Sequence, residues 1–306
     1  MNKDLKHWFV CLDMTRMDDV MISYAKFLSE HFDPQTITFL HIIQEKYLRD
    51  DIMQLFSNLP NNADIEDVVR KKLKGKIEKH FGKQKGEIRL VLKKGRPTDE
   101  IINLVKSMSP DLMMLGKKSG YVGEGVMARR IIKYVPCSVL FVPENSRHNL
   151  KNILVPVDFT ERSALTLKKV QSWADQMNGE VTAQHIFSYP TRFFPFLPIE
   201  SEKDKIDDYV REKLEEFIDG YQIPDLIDFE MSHHKEGRKS DDVYDMAIQK
   251  QADLIVMGAK SKKKLSSLLR ENFIDQAVSY PFGIPLMVLK DKEQHLRILD
   301  LVMGED

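Results

Sequence analysis

Short apolar runs recur along the chain, and most are apolar at nearly every position rather than at alternate ones. They fall at 8–13, 36–43, 87–94, 111–116 and 138–142, then at 152–157, 181–187, 226–232, 253–258 and 284–289. Runs rich in Val, Ile, Leu and Met throughout suit parallel strands covered on both faces. Between them the spacing becomes helical. Ala164, Leu167, Val170, Ala174 and Met177 recur every three or four residues, with Gly179 as a stop. Ile101, Leu104, Val105 and Met108 do the same ahead of Pro110. Asp18, three residues after Thr15, has the spacing of a capping box at a helix start. Five strands alternating with four helices, twice over, predict two tandem α/β domains of the doubly wound, Rossmann-like kind. The polar stretch Pro143–Lys151 divides them, giving domains at 1–145 and 150–290 and a C-terminal tail at 291–306.

The two sets are copies of one another. Trp8–Asp13 parallels Asn152–Asp158, and each run closes on Asp with Thr two residues on: Asp13 and Thr15, Asp158 and Thr160. Phe39-Leu-His41-Ile parallels Ala183-Gln-His185-Ile. Lys94-Gly95-Arg96 parallels Glu236-Gly237-Arg238. Pro110-Asp-Leu-Met-Met-Leu-Gly116 parallels Ala252-Asp-Leu-Ile-Val-Met-Gly258. Four landmarks in one order, with offsets drifting only between 145 and 142, mark an internal duplication.

Composition narrows the classes. The 306 residues are 42% hydrophobic and 30% charged, an ordinary globular balance with material for a core in each half. A net charge of −1 gives no reason to expect nucleic acid as a partner. Cys11 and Cys137 both sit in apolar runs and read as free thiols in a reducing cytoplasm. The amino terminus has no signal-peptide h-region, and no apolar stretch is long enough to span a membrane.

These residues carry a resemblance. Strand–Asp-x-Thr, then strand–His-Ile, then Gly-x before a helix, then Asp-Leu-Ile-Val-Met-Gly258, together with the closing Val135-Pro-Cys-Ser-Val-Leu-Phe-Val-Pro143, resembles the universal stress protein family in both halves. The resemblance implies an adenine nucleotide alpha hydrolase-like domain in each half. Each would be a five-stranded parallel sheet ordered 3-2-1-4-5 with helices on both faces. Ligands would sit at the switch point beyond the carboxyl ends of strands 1 and 4. Asp13 and Gly116 would rim one crevice, and Asp158 and Gly258 the other. In ATP-binding members the strand-1 Asp contacts the adenosine part, and a Gly-x-x-Gly-x9-Gly-Ser/Thr loop cradles the phosphates through backbone N–H groups.

The loops depart from that pattern. After Gly258, Ser261 stands in place of the second glycine and Glu271-Asn272 in place of Gly-Ser. A carboxylate beside a triphosphate is repulsive by a few kcal/mol at intermediate dielectric. Lys260, Lys262, Lys263 and Lys264 either offset it or form a solvated face, and Ser261 keeps a donor. In the first copy Gly120 and Gly123 lie in the loop, Gly125 takes the place of the Gly-Ser glycine, and Val126 removes the hydroxyl. Arg129 and Arg130 supply charge there. The binding candidates are therefore Asp13, Gly116, Gly120, Gly125, Asp158, Gly258, Ser261 and Asn272, with ATP or AMP as the ligand to test.

Each candidate has a plainer reading. A strand-end Asp before a helix commonly accepts backbone N–H bonds as a turn residue. His41 and His185, inside strands, read as hydrogen-bonded core histidines rather than metal ligands. His233 and His234 are adjacent on a strand and point to opposite faces, so one ion does not suit both. The segment Phe187–Ile199, with five aromatics and three prolines, packs on the fold, meets a protein partner or covers an apolar ligand. Neither the His-x-Gly-His nor the Ser-Gly-Gly-x-Asp-Ser signature of related catalytic nucleotide folds occurs. The expectation is a cytoplasmic, non-catalytic regulator, monomeric or homodimeric, that binds a ligand or partner. An ATP/AMP-binding switch with weak ATPase activity and an apolar-ligand carrier are the alternatives.

Overall fold

A computed structural model describes residues 5–44, 65–82, 86–118, 124–189, 199–235, 237–259, 271–279 and 283–291. The chain forms two compact units, one running to His148 and one spanning Asn149–Leu289, with Lys290 returning to the first.

In the first unit the strands are β1 (His7–Leu12), β2 (Thr36–Ile43), β3 (Glu87–Lys94), β4 (Leu112–Lys117) and β5 (Ser138–Pro143). All pair in parallel, in the order β3-β2-β1-β4-β5. The helices are α1 (Met17–Phe32), α2 (Ile65–Phe81), α3 (Pro97–Met108) and α4 (Glu124–Tyr134). α1 packs against α2 and α3 against α4. Right-handed crossovers put one pair on each face of such a sheet. Both faces being covered, β4 is buried from Leu112 to Leu115 and β5 along its whole length, which is why these strands lack alternation. Trp8 is fully buried and satisfies its indole by donating Nε1–H to Leu5 O at 2.8 Å.

Lys290 belongs to this unit. Its backbone N–H donates to Ser138 Oγ at 3.1 Å, and its ammonium caps the end of α4 by donating to Val135 O at 2.7 Å and to Ile132 O. Burial pushes this lysine down to about 8, with Cys137 opposing the shift.

The second unit repeats the plan. Its strands are β6 (Asn152–Val157), β7 (Glu180–Phe187), β8 (Asp228–His233), β9 (Leu254–Gly258) and β10 (Leu286–Leu289), parallel in the order β8-β7-β6-β9-β10. Its helices are α5 (Glu161–Met177), α6 (Ile199–Tyr221), α7 (Lys239–Gln249) and α8 (Glu271–Ser279). The order 3-2-1-4-5 expected for each half is thus found in both. The landmark glycines Gly95 and Gly237 mark the turns into α3 and α7, where φ of 145° and 96° suits a residue without Cβ.

Among the described residues no helix is long and apolar enough to cross a membrane, and neither Cys11 nor Cys137 is in a disulfide.

Candidate functional site

In the first unit the switch point lies between β1 and β4, the neighbours from which the chain departs in opposite directions. β1 ends at Leu12, and the chain turns sharply at Met14, which takes a left-handed φ of 63°. That bend brings the N–H groups of Asp13 and Met14 onto Asp18 Oδ1 at 2.9 and 3.2 Å. Asp13 turns the other way. Its Oδ1 accepts the Thr15 hydroxyl at 2.6 Å and the Thr15 N–H at 3.0 Å, and its Oδ2 pairs with Lys118 at 2.5 Å. Burial works against ionising Asp13, but the Lys118 and Thr15 bonds outweigh it and hold its pKa below the usual range. Asp18, 1% exposed, is balanced by Lys76 of α2, which also reaches Asp19 at 3.1 Å and Thr15 O at 3.2 Å.

The capping box expected between Thr15 and Asp18 does not form. Arg16 occupies the N-cap position without a side-chain cap, because Asp18 is drawn back to Asp13 and Met14, and Thr15 Oγ1 accepts from Met17 N–H instead.

The second unit has the same backbone and different partners. Phe159 takes the left-handed turn at φ 55°. Ser163 stands where the first unit has Asp18. It accepts the Asp158 N–H at 3.1 Å and returns its hydroxyl to Asp158 Oδ1 at 2.6 Å. Thr160 donates to the same oxygen at 2.6 Å and caps α5. The Phe159 ring lies flat on His185, centroids 3.9 Å apart and planes within 15°, with Phe217 5.3 Å beyond.

His41 and His185 play one part in the two units. Each donates Nδ1–H to the last carbonyl of the first strand, Leu12 O at 2.9 Å and Val157 O at 3.0 Å, tying β2 to β1 and β7 to β6 just before the aspartates. They are hydrogen-bonded strand histidines, as expected. Burial lowers the pKa of His185, with the nearby Lys239 charge adding to the shift and Val157 O and Asp158 opposing it, so the ring is held neutral. The pair His233 and His234 divides. His234 Nδ1 meets Asp242 at 2.6 Å, while His233 lies against Tyr189, centroids 4.1 Å apart. No group of three or more metal-ligating side chains forms among the described residues.

Gly116, the last residue but one of β4, and Gly258, the last of β9, lie beside these loops. A Cβ on Gly116 would fall 2.6 Å from Met17 Cγ, and one on Gly258 would fall 2.4 Å from Thr166 Oγ1 and 3.1 Å from Arg162 Cγ. A side chain at either position would therefore press on the helix that follows the aspartate. Gly125 falls in the first turn of α4 and Asn272 in the first turn of α8. Gly120, Ser261, the lysines at 260–264 and the bulk of the 187–199 segment lie outside the described residues.

The structure thus brings Asp13 together with Gly116 through Met17, and Asp158 with Gly258 through the start of α5. Three participants escape a reading by motif, Lys118, Ser163 and Phe159, and Asp18 is singled out by its motif only as a capping residue. Lys118 had a signal in its place two residues beyond Gly116, and Ser163 in its alignment with Asp18.

Comparison with known proteins bears on this geometry. The profile of the universal stress protein family matches residues 6–143 and again 149–288. The chain belongs to the universal stress protein family. Among solved structures, a protein from Pseudomonas aeruginosa UCBPP-PA14 described as a universal stress protein is 12% identical at TM-score 0.66, covering 98% of each chain. A functionally unknown protein from Pseudomonas aeruginosa PAO1 is 14% identical at TM-score 0.64, again over 98% of each chain. A universal stress protein from Archaeoglobus fulgidus DSM 4304 is 13% identical at TM-score 0.58, over 92% of this chain and 97% of its own. These likenesses are of fold, and they extend across both universal stress domains. No curated protein matches the sequence.

Proposed function

We propose that this tandem universal stress protein is a cytoplasmic, ligand- or partner-responsive regulator rather than an ATP-binding enzyme of the usual family geometry. The observation that carries the reading is the fate of the two strand-end aspartates. Asp13 spends its carboxylate on Thr15 and Lys118, and Asp158 engages Thr160 and Ser163. At Asp13, where both oxygens are engaged, a ribose hydroxyl would have to displace bonds already made, and at Asp158 it would compete with two hydroxyls on Oδ1. The departures of Ser261, Glu271 and Val126 from the phosphate-loop pattern add to it.

A second reading, an adenine-nucleotide switch, draws support from the helices α4 and α8 that begin beyond β4 and β9, since such amino termini offer N–H groups to an anion. One experiment separates the two. The purified chain is heat-denatured and the released small molecules are identified by mass spectrometry, alongside titration of the emptied protein with ATP and AMP. The regulator reading expects no stoichiometric adenine nucleotide. One nucleotide per chain, with binding abolished by Asp158→Ala or Asp13→Ala, would overturn it. A lipid-like species would direct attention to the 187–199 segment instead.

A further inference from the structure

At the start of α7 the duplication breaks. The first unit has Pro97 after Gly95-Arg96, and the second has Lys239 after Gly237-Arg238. Lys239 Nζ is shielded from solvent and makes no hydrogen bond among the described residues. Beside it Ser240 is 0% exposed, and its Oγ also has no partner. Ser240 shares the sheet-facing side of α7 with Val243, Met246 and Ala247. On the sheet beneath, Gln184 of β7 donates to Asp242 O in the same turn at 3.0 Å.

Neither acid of this turn hydrogen-bonds the lysine, and the Asp242 charge only partly offsets the cost of its burial. Asp241 folds back on the Arg238 N–H at 3.2 Å and its guanidinium at 3.4 Å, and Asp242 is taken by His234. A sequestered ammonium without an acceptor is costly, as is a buried hydroxyl without a partner. Both atoms stand at the amino end of an 11-residue helix whose first N–H groups have no acceptor within the helix. Two unspent side-chain donors, a cation and a hydroxyl, stand beside the N–H groups of Lys239 and Ser240, the Asp241 N–H being taken by Arg238 O, and together they match the acceptor oxygens of a tetrahedral anion.

We propose that the second unit binds an oxyanion at Lys239 and Ser240 on the first turn of α7, with a phosphate group as the ligand. This place differs from the loop after Gly258, where a nucleotide's phosphates would be sought. The proposal rests on the reading of the protein as a ligand binder.

Isothermal titration of the full chain with sodium phosphate at constant ionic strength tests it, with sodium acetate as the carboxylate arm and glycerol 3-phosphate as the esterified one. Wild type is expected to bind phosphate, with Lys239→Met weakening it roughly ten-fold, Lys239→Arg restoring most of it, and Ser240→Ala losing less. Stronger binding of glycerol 3-phosphate than of phosphate would identify the phosphate as one borne by a metabolite. Stronger binding of phosphate would identify the free ion. If Lys239→Met fails to fold, Ser240→Ala and Lys239→Arg carry the comparison. No binding of phosphate or its ester by wild type, a preference for acetate, or equal binding in all variants would overturn the site. Were Asp158→Ala to change ligand release while Lys239→Met left phosphate binding unchanged, the ligand-binding reading would stand and this inference would fall.

Discussion

The two units hold the same bend with different chemistry. In the first, the turn after β1 is fixed by charge: Asp18 receives two backbone N–H groups, Lys76 neutralises it, and Lys118 reaches Asp13. In the second, a hydroxyl and an aromatic ring do the same work: Ser163 closes a ring of hydrogen bonds with the Asp158 carboxylate, and Phe159 rests on His185. The backbone hardly notices, since Met14 and Phe159 share the left-handed conformation. What the scaffold demands is a bend and an acceptor for the strand-end N–H. Whether that acceptor is a carboxylate or a hydroxyl is open, and this choice sets how each unit responds to charge, acid and ligands.

The comparison is tested most severely at its keystones. Asp18→Ala should destabilise the first unit by about 3 kcal/mol, because it strands two N–H groups and leaves Lys76 half-sheltered with only Asp19 and Thr15 O. Ser163→Ala should cost the second unit less, about 2 kcal/mol, since it removes one hydroxyl–carboxylate bond and the acceptor of the Asp158 N–H but strands no buried cation. Denaturant melts monitored by circular dichroism read both, and equal losses would mean that charge and hydroxyl are interchangeable after all.

Next come the helix contacts. Gly258→Ala should cost about 2 kcal/mol, since its Cβ would press on the branched Thr166 and the Arg162 stem, whereas Gly116→Ala should cost about 1 kcal/mol because Met17 is unbranched and can shift. A thermal scan that ranks them the other way would show that α1 is the less yielding helix.

Acid should act on the second unit through His185. Its folded pKa is lowered, so as pH falls below about 6.5 the unfolded chain takes up a proton before the folded one does, and stability is lost. The slope from this residue is at most about 1.4 kcal/mol per pH unit. His185→Gln should flatten melting temperature against pH across that range; an unchanged slope would place the acid sensitivity elsewhere.

The smallest effect should come from Lys118→Met, under about 1 kcal/mol, because its ion pair with Asp13 is substantially exposed. That same variant should raise the apparent affinity for any ligand that hydrogen-bonds Asp13, by a few-fold at most, as read by titration.

Strand positions were legible from the sequence because burial on both faces writes itself as unbroken apolar runs. The run at 87–94 is β3 to the residue and that at 152–157 is β6, and most others shift by a residue or two at an end. The start of β8 was harder: Leu226 and Ile227 extend the apolar run, yet the strand begins at Asp228, with Leu226 77% exposed. The site was legible in part. Asp13, Asp158, Gly116 and Gly258 stood out by repetition; Asp13 accepts a backbone N–H from its own loop as the plainer reading held, whereas Asp158 accepts the hydroxyls of Thr160 and Ser163. Their partners did not stand out. Asp18 read as a capping residue because spacing alone cannot say which way a carboxylate turns. Lys118 and Lys76 act across the fold, and no local periodicity records a contact between residues 105 or 58 positions apart.

One consequence concerns what a surviving motif testifies to. Gly116 and Gly258 are pinned by side chains of the adjoining helix, and the aspartates by their own loops. Selection for stability alone would keep all four in a chain that had lost every ligand. The strand–Asp and Met–Gly signatures are in that sense fossils of folding as much as badges of binding. In this family the informative positions are those the scaffold leaves idle, such as the one that is Pro97 in one half and Lys239 in the other.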